Sequence, residues 1–593
     1  MSAQQKKPAK RPAEQVLQGI GVSPGIAIGP AHVVEPGIIE VPKYAIAADA
    51  IAAERARFAD AVARALKQVA KLHDKADTLP GSAAEELGYL LDAHSQMLSG
   101  SRLVRGVDRR IADQAINAEA AVSEEIAEIS QAFLSMDDDY FAARLDDVRD
   151  VGARLLRGLM AVPYQAFSDL PEGSVIIAEE LSPADTALMD PRLVGGFATV
   201  IGGIQGHAAI MARSLGLPAV VGVPDLVGKL HSGDSVVVDG GTGKVTLNPK
   251  PATLERYEAR RAELRRRQRQ LARLRDLPSV TRDGVDIMLQ ANLELPGEID
   301  GALGAGAQGV GLLRTEFMYM NREDPPSEDE QYATLRVFIE AMDGRPVTVR
   351  TLDAGSDKLA FSIAGHIQPS LNPALGLRAI RLSLKVRPLL EAQLAAMLRV
   401  SAHGPIRILL PMIGTTAEVR QVREVMDKVV RRLRRRRVPI ADPLPPLGAM
   451  IEVPGAALSA DSLARVCDFF SIGTNDLTMY TLAIDRGDEQ VAQLFDPLHP
   501  AVLRLIQFTT EAALRARIPI AVCGEVAGDP RYAVLLLGLG IRDLSMSAAS
   551  LPLVKQRIRS LDIGEATRRA QSIMDQSDAG VIAAMLDDFN ALA

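Results

Sequence analysis

Val347-Thr348-Val349-Arg350-Thr351-Leu352-Asp353 is the stretch that decides the fold. A short apolar run ends abruptly in charged and polar residues. A run that short suits a strand. The pattern recurs at Ile287–Gln290, Val310–Leu313, Ile406–Leu410, Leu447–Met450, Phe469–Ile472, Ile520–Cys523 and Asp543–Met546, each followed by a helical segment. Eight βα units in about 310 residues give the size and rhythm of a (β/α)₈ TIM-type barrel. In such a barrel the residues just past the strands form one mouth, where catalysis sits.

Those positions carry the chemistry. Arg314-Thr315-Glu316 follows Leu313. Arg350 and Asp353 follow Val349, with Lys358 close behind. Glu452 follows Met450 and Ile451, Asn475-Asp476 follows Ile472, and Cys523-Gly524-Glu525 follows Val522. Arg378 and Arg486 lie in loops nearby in sequence. Glu452 and Asp476, from the ends of successive strands, can share a hard cation such as Mg²⁺. Arg314, Arg350, Arg378, Arg486 and Lys358 match phosphate and carboxylate groups. The expected ligand is a small, highly anionic molecule bearing phosphate and held with Mg²⁺. Cys523 is a candidate proton donor or nucleophile. Cys467 reads as a small buried apolar residue and His499 as structural.

Upstream, Gly19–Val41 and Gly173–Asn248 read as strands and turns, clearest at Ser174–Ala178 and Ser235–Asp239. Between them, from about Ala48 to Met160, apolar residues recur at helical steps: Phe58, Val62, Leu66 and Val69, then Ile126, Ile129 and Phe133. The simplest account is a helical domain inserted into an α/β domain. The glycine-rich Gly202-Gly203-Ile204-Gln205-Gly206 runs into His207 and a helical pattern. A histidine at a helix start beside backbone N–H groups can carry a phosphoryl group and release it. Leu254–Leu277 reads as a charged linker helix with Leu264, Leu271 and Leu274 on one face.

The chain has 593 residues, too many for one core. A net charge of −7 and solvated-looking arginine runs at 265–267 and 431–437 give no reason to expect nucleic-acid binding. No apolar run is long enough to span a bilayer. Residues 1–16 read as a disordered tail without a secretory core. Two cysteines make no disulfide framework, which points to the cytoplasm. The organisation expected is α/β multidomain: 1–16 tail; 17–47 and 162–250 the histidine α/β domain; 48–161 the helical insert; 251–279 the linker helix; 280–593 the barrel.

The segments Gly311–Phe317, Arg350–Lys358, Asn372–Arg378, Gly473–Leu477 and Cys523–Asp529 closely resemble the enzyme I family of the bacterial phosphoenolpyruvate-dependent phosphotransferase system. The resemblance implies a barrel that binds phosphoenolpyruvate, with Mg²⁺ on Glu452 and Asp476. It implies phosphate contacts from Arg314, Arg350, Asn475 and Arg486. Cys523 would protonate the enolate carbon to give pyruvate. His207 would take the phosphoryl group and pass it to a histidine of an HPr-type carrier docked on the helical insert, while the barrel makes a homodimer. One histidine serving two partners implies a swivelling domain, with the linker helix as hinge. The family usually places hydroxyl residues around this histidine. Here Gln205-Gly206 precedes it and Ala208 follows, which leaves open a slow or inactive regulatory protein that binds phosphoenolpyruvate and carrier. The run Ser99–Arg105 replaces acidic residues frequent in relatives and bears on carrier choice. Pyruvate,phosphate dikinases and phosphoenolpyruvate synthases carry an ATP-binding domain ahead of the histidine domain, and no glycine-rich nucleotide loop precedes His207.

Overall fold

The computed structural model describes residues 13–34, 41–76, 91–92, 94–99, 101–134, 139–160, 167, 170–181, 185, 189–190, 192–203, 207–319, 324–354, 372–485 and 491–591. The chain forms two compact units, 1–267 and 268–593.

In the first unit, eight strands form one mixed sheet. They are β1 (Gln15–Gln18), β2 (Ile20–Ser23), β3 (Ile26–Val34), β4 (Ser174–Ala178), β5 (Val194–Thr199), β6 (Ala219–Val221), β7 (Ser235–Asp239) and β8 (Lys244–Leu247). Their order is β1-β8-β7-β3-β4-β5-β6-β2. The centre, β3 through β6, is parallel and the flanks are antiparallel. Parallel neighbours cannot be joined by a tight turn. The β3–β4 crossover holds the helical block, with helices Ile51–Ala76, Arg102–Gln114, Ala118–Leu134 and Asp139–Leu159. Leu103, Val107 and Ile111, four apart on one helix, are buried against Phe58, Val62, Val122 and Leu155. Arg57 ties the bundle by reaching Glu54 at 2.7 Å and Glu119 at 2.6 Å.

Gln15 and Val16 do not belong to the tail. They pair with Leu247 and Thr246, because β8 would otherwise leave its backbone ladder unpaired along that edge. The helix expected at Leu254–Leu277 runs Pro251–Ala272. Pro278 disfavours helical backbone at Leu277, and 273–276 form turns.

In the second unit, β9 (Met288–Leu293), β10 (Val310–Leu313), β11 (Val347–Arg350), β12 (Ile406–Leu410), β13 (Leu447–Ile451), β14 (Phe470–Ile472), β15 (Ile520–Val522) and β16 (Asp543–Met546) close a parallel barrel, β16 pairing back onto β9. All eight strands sit where the apolar runs placed them. Leu312, Leu409, Met450, Phe469 and Cys523 form a buried cluster of their own, contributed by β10 and by β12 to β15 or their ends, and fill part of the barrel interior. Gly448 makes room for this layer: a Cβ there would lie 2.5 Å from the Phe469 ring. Among the described residues, no helix is long and apolar enough to cross a membrane.

Candidate active site

Arg350 ends β11 inside the barrel and is buried with two carboxylates. Its Nη2 lies 3.1 Å from Glu316 Oε1 and its Nη1 2.9 Å from Asp353 Oδ2. The other oxygen of Asp353 accepts from Arg378 Nη2 at 2.9 Å. Glu316 Oε1 also accepts from the Asp353 backbone N–H at 2.9 Å, which fixes the turn after β11. Gln393 braces that turn from below, accepting from Leu352 N and donating to Thr315 Oγ1. Burial opposes charge on Arg350, but Glu316 and Asp353 outweigh it and hold the guanidinium protonated. Burial likewise works against ionised Asp353. Arg350 and Arg378 outweigh it and hold that carboxyl below its ordinary range.

Glu452, the first residue past β13, is buried, and its Oε1 accepts from Met412 N at 2.6 Å. Met412 has a left-handed φ of 55°. Ala379, directly after Arg378, has φ 51°. Non-glycine residues held in this region store local strain, and here both adjoin charged site residues. Burial first, then Asp353 and Asp476, push the Glu452 carboxyl up to about 8. One oxygen each from Asp353, Glu452 and Asp476 lie within 4.8 Å of one another. Three hard oxygen donors so close repel one another unless a cation is shared. The donor set fits a hard divalent cation.

Beside this cluster is a cavity of about 300 Å³ whose walls include Arg314, Asn475, Cys523, Glu525, Asn292 and Ser547. Arg314 Nη1 lies 3.4 Å from Glu294. Asn475 and Glu525 clasp each other across two strand ends: Asn475 Nδ2 donates to Glu525 Oε1 at 3.0 Å, and Glu525 N donates to Asn475 Oδ1 at 3.1 Å. Gly524 permits this approach, since a Cβ there would meet Thr474 Oγ1 at 1.9 Å. Burial pushes the Cys523 thiol up to about 11, so it keeps its proton at neutral pH. Cys467 is buried away from any charged mouth, its thiol pushed up to about 12 by burial. His499 caps the helix Pro500–Ala516, its Nδ1 accepting from Ala501 N.

The barrel thus brings together Arg350, Arg378, Glu452 and Asp476, and beside them Arg314, Asn475 and Cys523. Asp353 and Glu316 were visible only as strand-end residues. The signal that could have singled them out was an acidic residue within three positions of each strand-end arginine. Lys358 and Arg486 lie outside the described residues.

His207 opens the helix His207–Leu215, and its side chain is outside the described set, as are Gln205 and Gly206. That helix sits between two cores. Ala209 and Ala212 pack on the sheet side with Ile176 and Phe197, while Met211 packs into the helical block. Gly202, ahead of it, has φ 141°, a backbone that favours glycine.

Three family models match successive parts of the chain: PEP-utilising enzyme, N-terminal, over residues 18–144; PEP-utilising enzyme, mobile domain, over 170–243; and PEP-utilising enzyme, PEP-binding domain, over 268–563. The chain is 43% identical over 552 residues to a phosphoenolpyruvate-protein phosphotransferase of Cupriavidus necator, covering 91% of this chain and 94% of that protein. It is 40% identical to the protein of that name from a Bacillus species (95% and 96% covered) and 38% identical to that of Bacillus subtilis (97% and 99% covered).

Proposed function

The chain belongs to the PEP-utilising enzyme family, and on that premise we propose that it is a phosphoenolpyruvate–protein phosphotransferase working through phospho-His207. The observation that carries the reading is the cluster of Arg350, Arg378, Asp353, Glu452 and Asp476 beside a cavity floored by a protonated thiol. Phosphoryl transfer needs positioning and charge neutralisation more than covalent machinery. Arg314, Arg350, Arg378 and Asn475 orient the substrate's phosphate and carboxylate, with Lys358 and Arg486 as further contacts. Glu452 and Asp476 would hold Mg²⁺, which when bound would neutralise negative charge on the substrate. The His207 imidazole attacks phosphorus; the N–P bond forms as the P–O bond to the enol breaks. The departing enolate takes a proton at carbon from the Cys523 Sγ–H, giving pyruvate, and the thiolate recovers a proton from solvent.

Phospho-His207 then passes its group to a histidine of an HPr-type carrier docked on the helical block, and the barrel serves as homodimer interface. A cytoplasmic setting suits the two free thiols.

The test is incubation with labelled phosphoenolpyruvate and Mg²⁺ beside His207→Ala. Acid-labile label in the wild type alone is the expected result. Intact substrate binding with no label would replace this reading with that of a regulatory binding protein.

A further inference from the structure

Resting on that reading, Asp353 stands between two sets of groups, the arginines that would take the phosphate and the carboxylates that would hold the metal. Its two oxygens are the acceptors for Arg350 Nη1 and Arg378 Nη2, each at 2.9 Å. Those are guanidinium donors an incoming phosphate needs. One of its oxygens also lies within 4.8 Å of oxygens of Glu452 and Asp476.

We propose that Asp353 couples the two halves of the site: its carboxylate competes with the substrate's phosphate for Arg350 and Arg378, and once displaced it turns toward the metal beside Glu452 and Asp476.

Three observations support this. First, the buried Nε groups of Arg350 and Arg378 have no hydrogen-bond acceptor among the described residues, so the arginine pair has donating capacity that Asp353 leaves unused. Arg350 is 9% exposed, so water is a poor substitute there. Second, Glu316 holds Arg350 and the Asp353 backbone N–H independently of the Asp353 carboxylate. Arg350 therefore stays placed when Asp353 lets go. Third, the charges favour a metal once the phosphate is in place. Arg350 and Arg378 are offset by Glu316 and Asp353. A phosphate that takes the arginines strands the Asp353 charge beside two other carboxylates, at a cost that a divalent cation removes. Phosphate and metal should consequently favour each other's binding, and by linkage the effect must be mutual. Asp353 is on this account a positioning residue, and its signature is a coupling rather than a rate.

The test uses the full chain and 2-phospholactate, which has the phosphate and carboxylate of the substrate but no enol to turn over. Calorimetry should show Mg²⁺ tightening its binding to the wild type about 100-fold. In Asp353→Asn, metal-free binding should tighten about tenfold, and the tightening by Mg²⁺ should shrink to about threefold. A second variant, Arg378→Gln, removes one competitor for the carboxylate. Its Mn²⁺ affinity, read by electron paramagnetic resonance without any phosphate, should rise about fivefold. Should Asp353→Asn not fold, this measurement decides alone. Full Mg²⁺ coupling in Asp353→Asn, weaker metal-free binding there, or unchanged or lower Mn²⁺ affinity in Arg378→Gln each overturns the proposal. A wild-type chain that fails to bind 2-phospholactate with Mg²⁺ present overturns the functional reading itself, and the inference falls with it.

Discussion

At the barrel mouth, Arg350, Asp353, Glu452 and Cys523 all stand at a strand end or within three residues of one, and all four are buried. In the sheet unit, His207 starts a nine-residue helix just after a glycine-rich stretch, and the helix is anchored by small residues, Ala209 and Ala212, on one side and by Met211 on the other. The first arrangement fixes several charges against one another in a closed ladder with little water. The second carries one histidine on a short element between two cores. Recognising a trianionic substrate takes many converging groups held rigidly.

The sharpest way to break this contrast is Cys523→Ser. If the buried thiol is the proton donor, phosphoenolpyruvate turnover should fall on the order of 1,000-fold while 2-phospholactate binding stays within about twofold. Equal losses in both would make Cys523 a packing residue only. Next comes a pair of arginines. Arg350→Met strands Glu316 and Asp353 in the barrel and should cost about 3–5 kcal/mol of unfolding free energy in urea. Arg55→Met in the helical block should cost about 1 kcal/mol or less, because the Arg55 and Asp108 side chains are 49% and 38% exposed and water compensates the loss of the pair. Similar costs would mean the two regions are equally rigid.

Glycines give a finer test. Gly524→Ala meets Thr474 backbone and side chain and should destabilise by about 1–3 kcal/mol. Gly106→Ala, inside the helix Arg102–Gln114, meets first the carboxylate end of Glu125. It should stay within about 1 kcal/mol of wild type by thermal unfolding, since alanine is the better helix former.

A further contrast is in pH. The Glu452 carboxyl, pushed up to about 8, must lose its proton to hold a metal. Its neutral form favours the metal-free fold below its ordinary 4.5, and that contribution is lost as pH rises through 8. Mg²⁺ affinity should therefore rise by up to about tenfold per pH unit below 8 and level off above it. His94 in the helical block shows the opposite sign. Burial, then Arg154, lowers it from 6.5 to about 4, so its contribution is full above 6.5 and lost as pH falls through 4. A flat Mg²⁺ titration from pH 6 to 8 would mean Glu452 is already ionised without metal.

Much of this was legible in the chain. Short apolar runs such as Val310–Leu313 and Leu447–Met450, alternating with helical segments, marked the barrel strands. Glu452 and Cys523 were legible because catalytic positions in barrels follow strands. The pairing of Arg378 with Asp353, 25 residues apart, was not. Nothing local to either residue states which partner it meets. The end of the linker helix was misread because the arginine-rich stretch continues past Ala272, while Pro278 stops the backbone earlier than side-chain pattern suggests.

The sequence by itself determined the alternation of strand and helix, the identity of the strand-end residues and the helical crossover between β3 and β4. Each of these rests on local periodicity and steric preference. Only the tertiary structure decided that Asp353, Glu452 and Asp476, from three different strands, share one point, and that Asp353 answers to two arginines at once. Coulomb energy depends on distance through a poorly polarisable interior, and that distance is set by barrel closure and register, which no single stretch of chain contains.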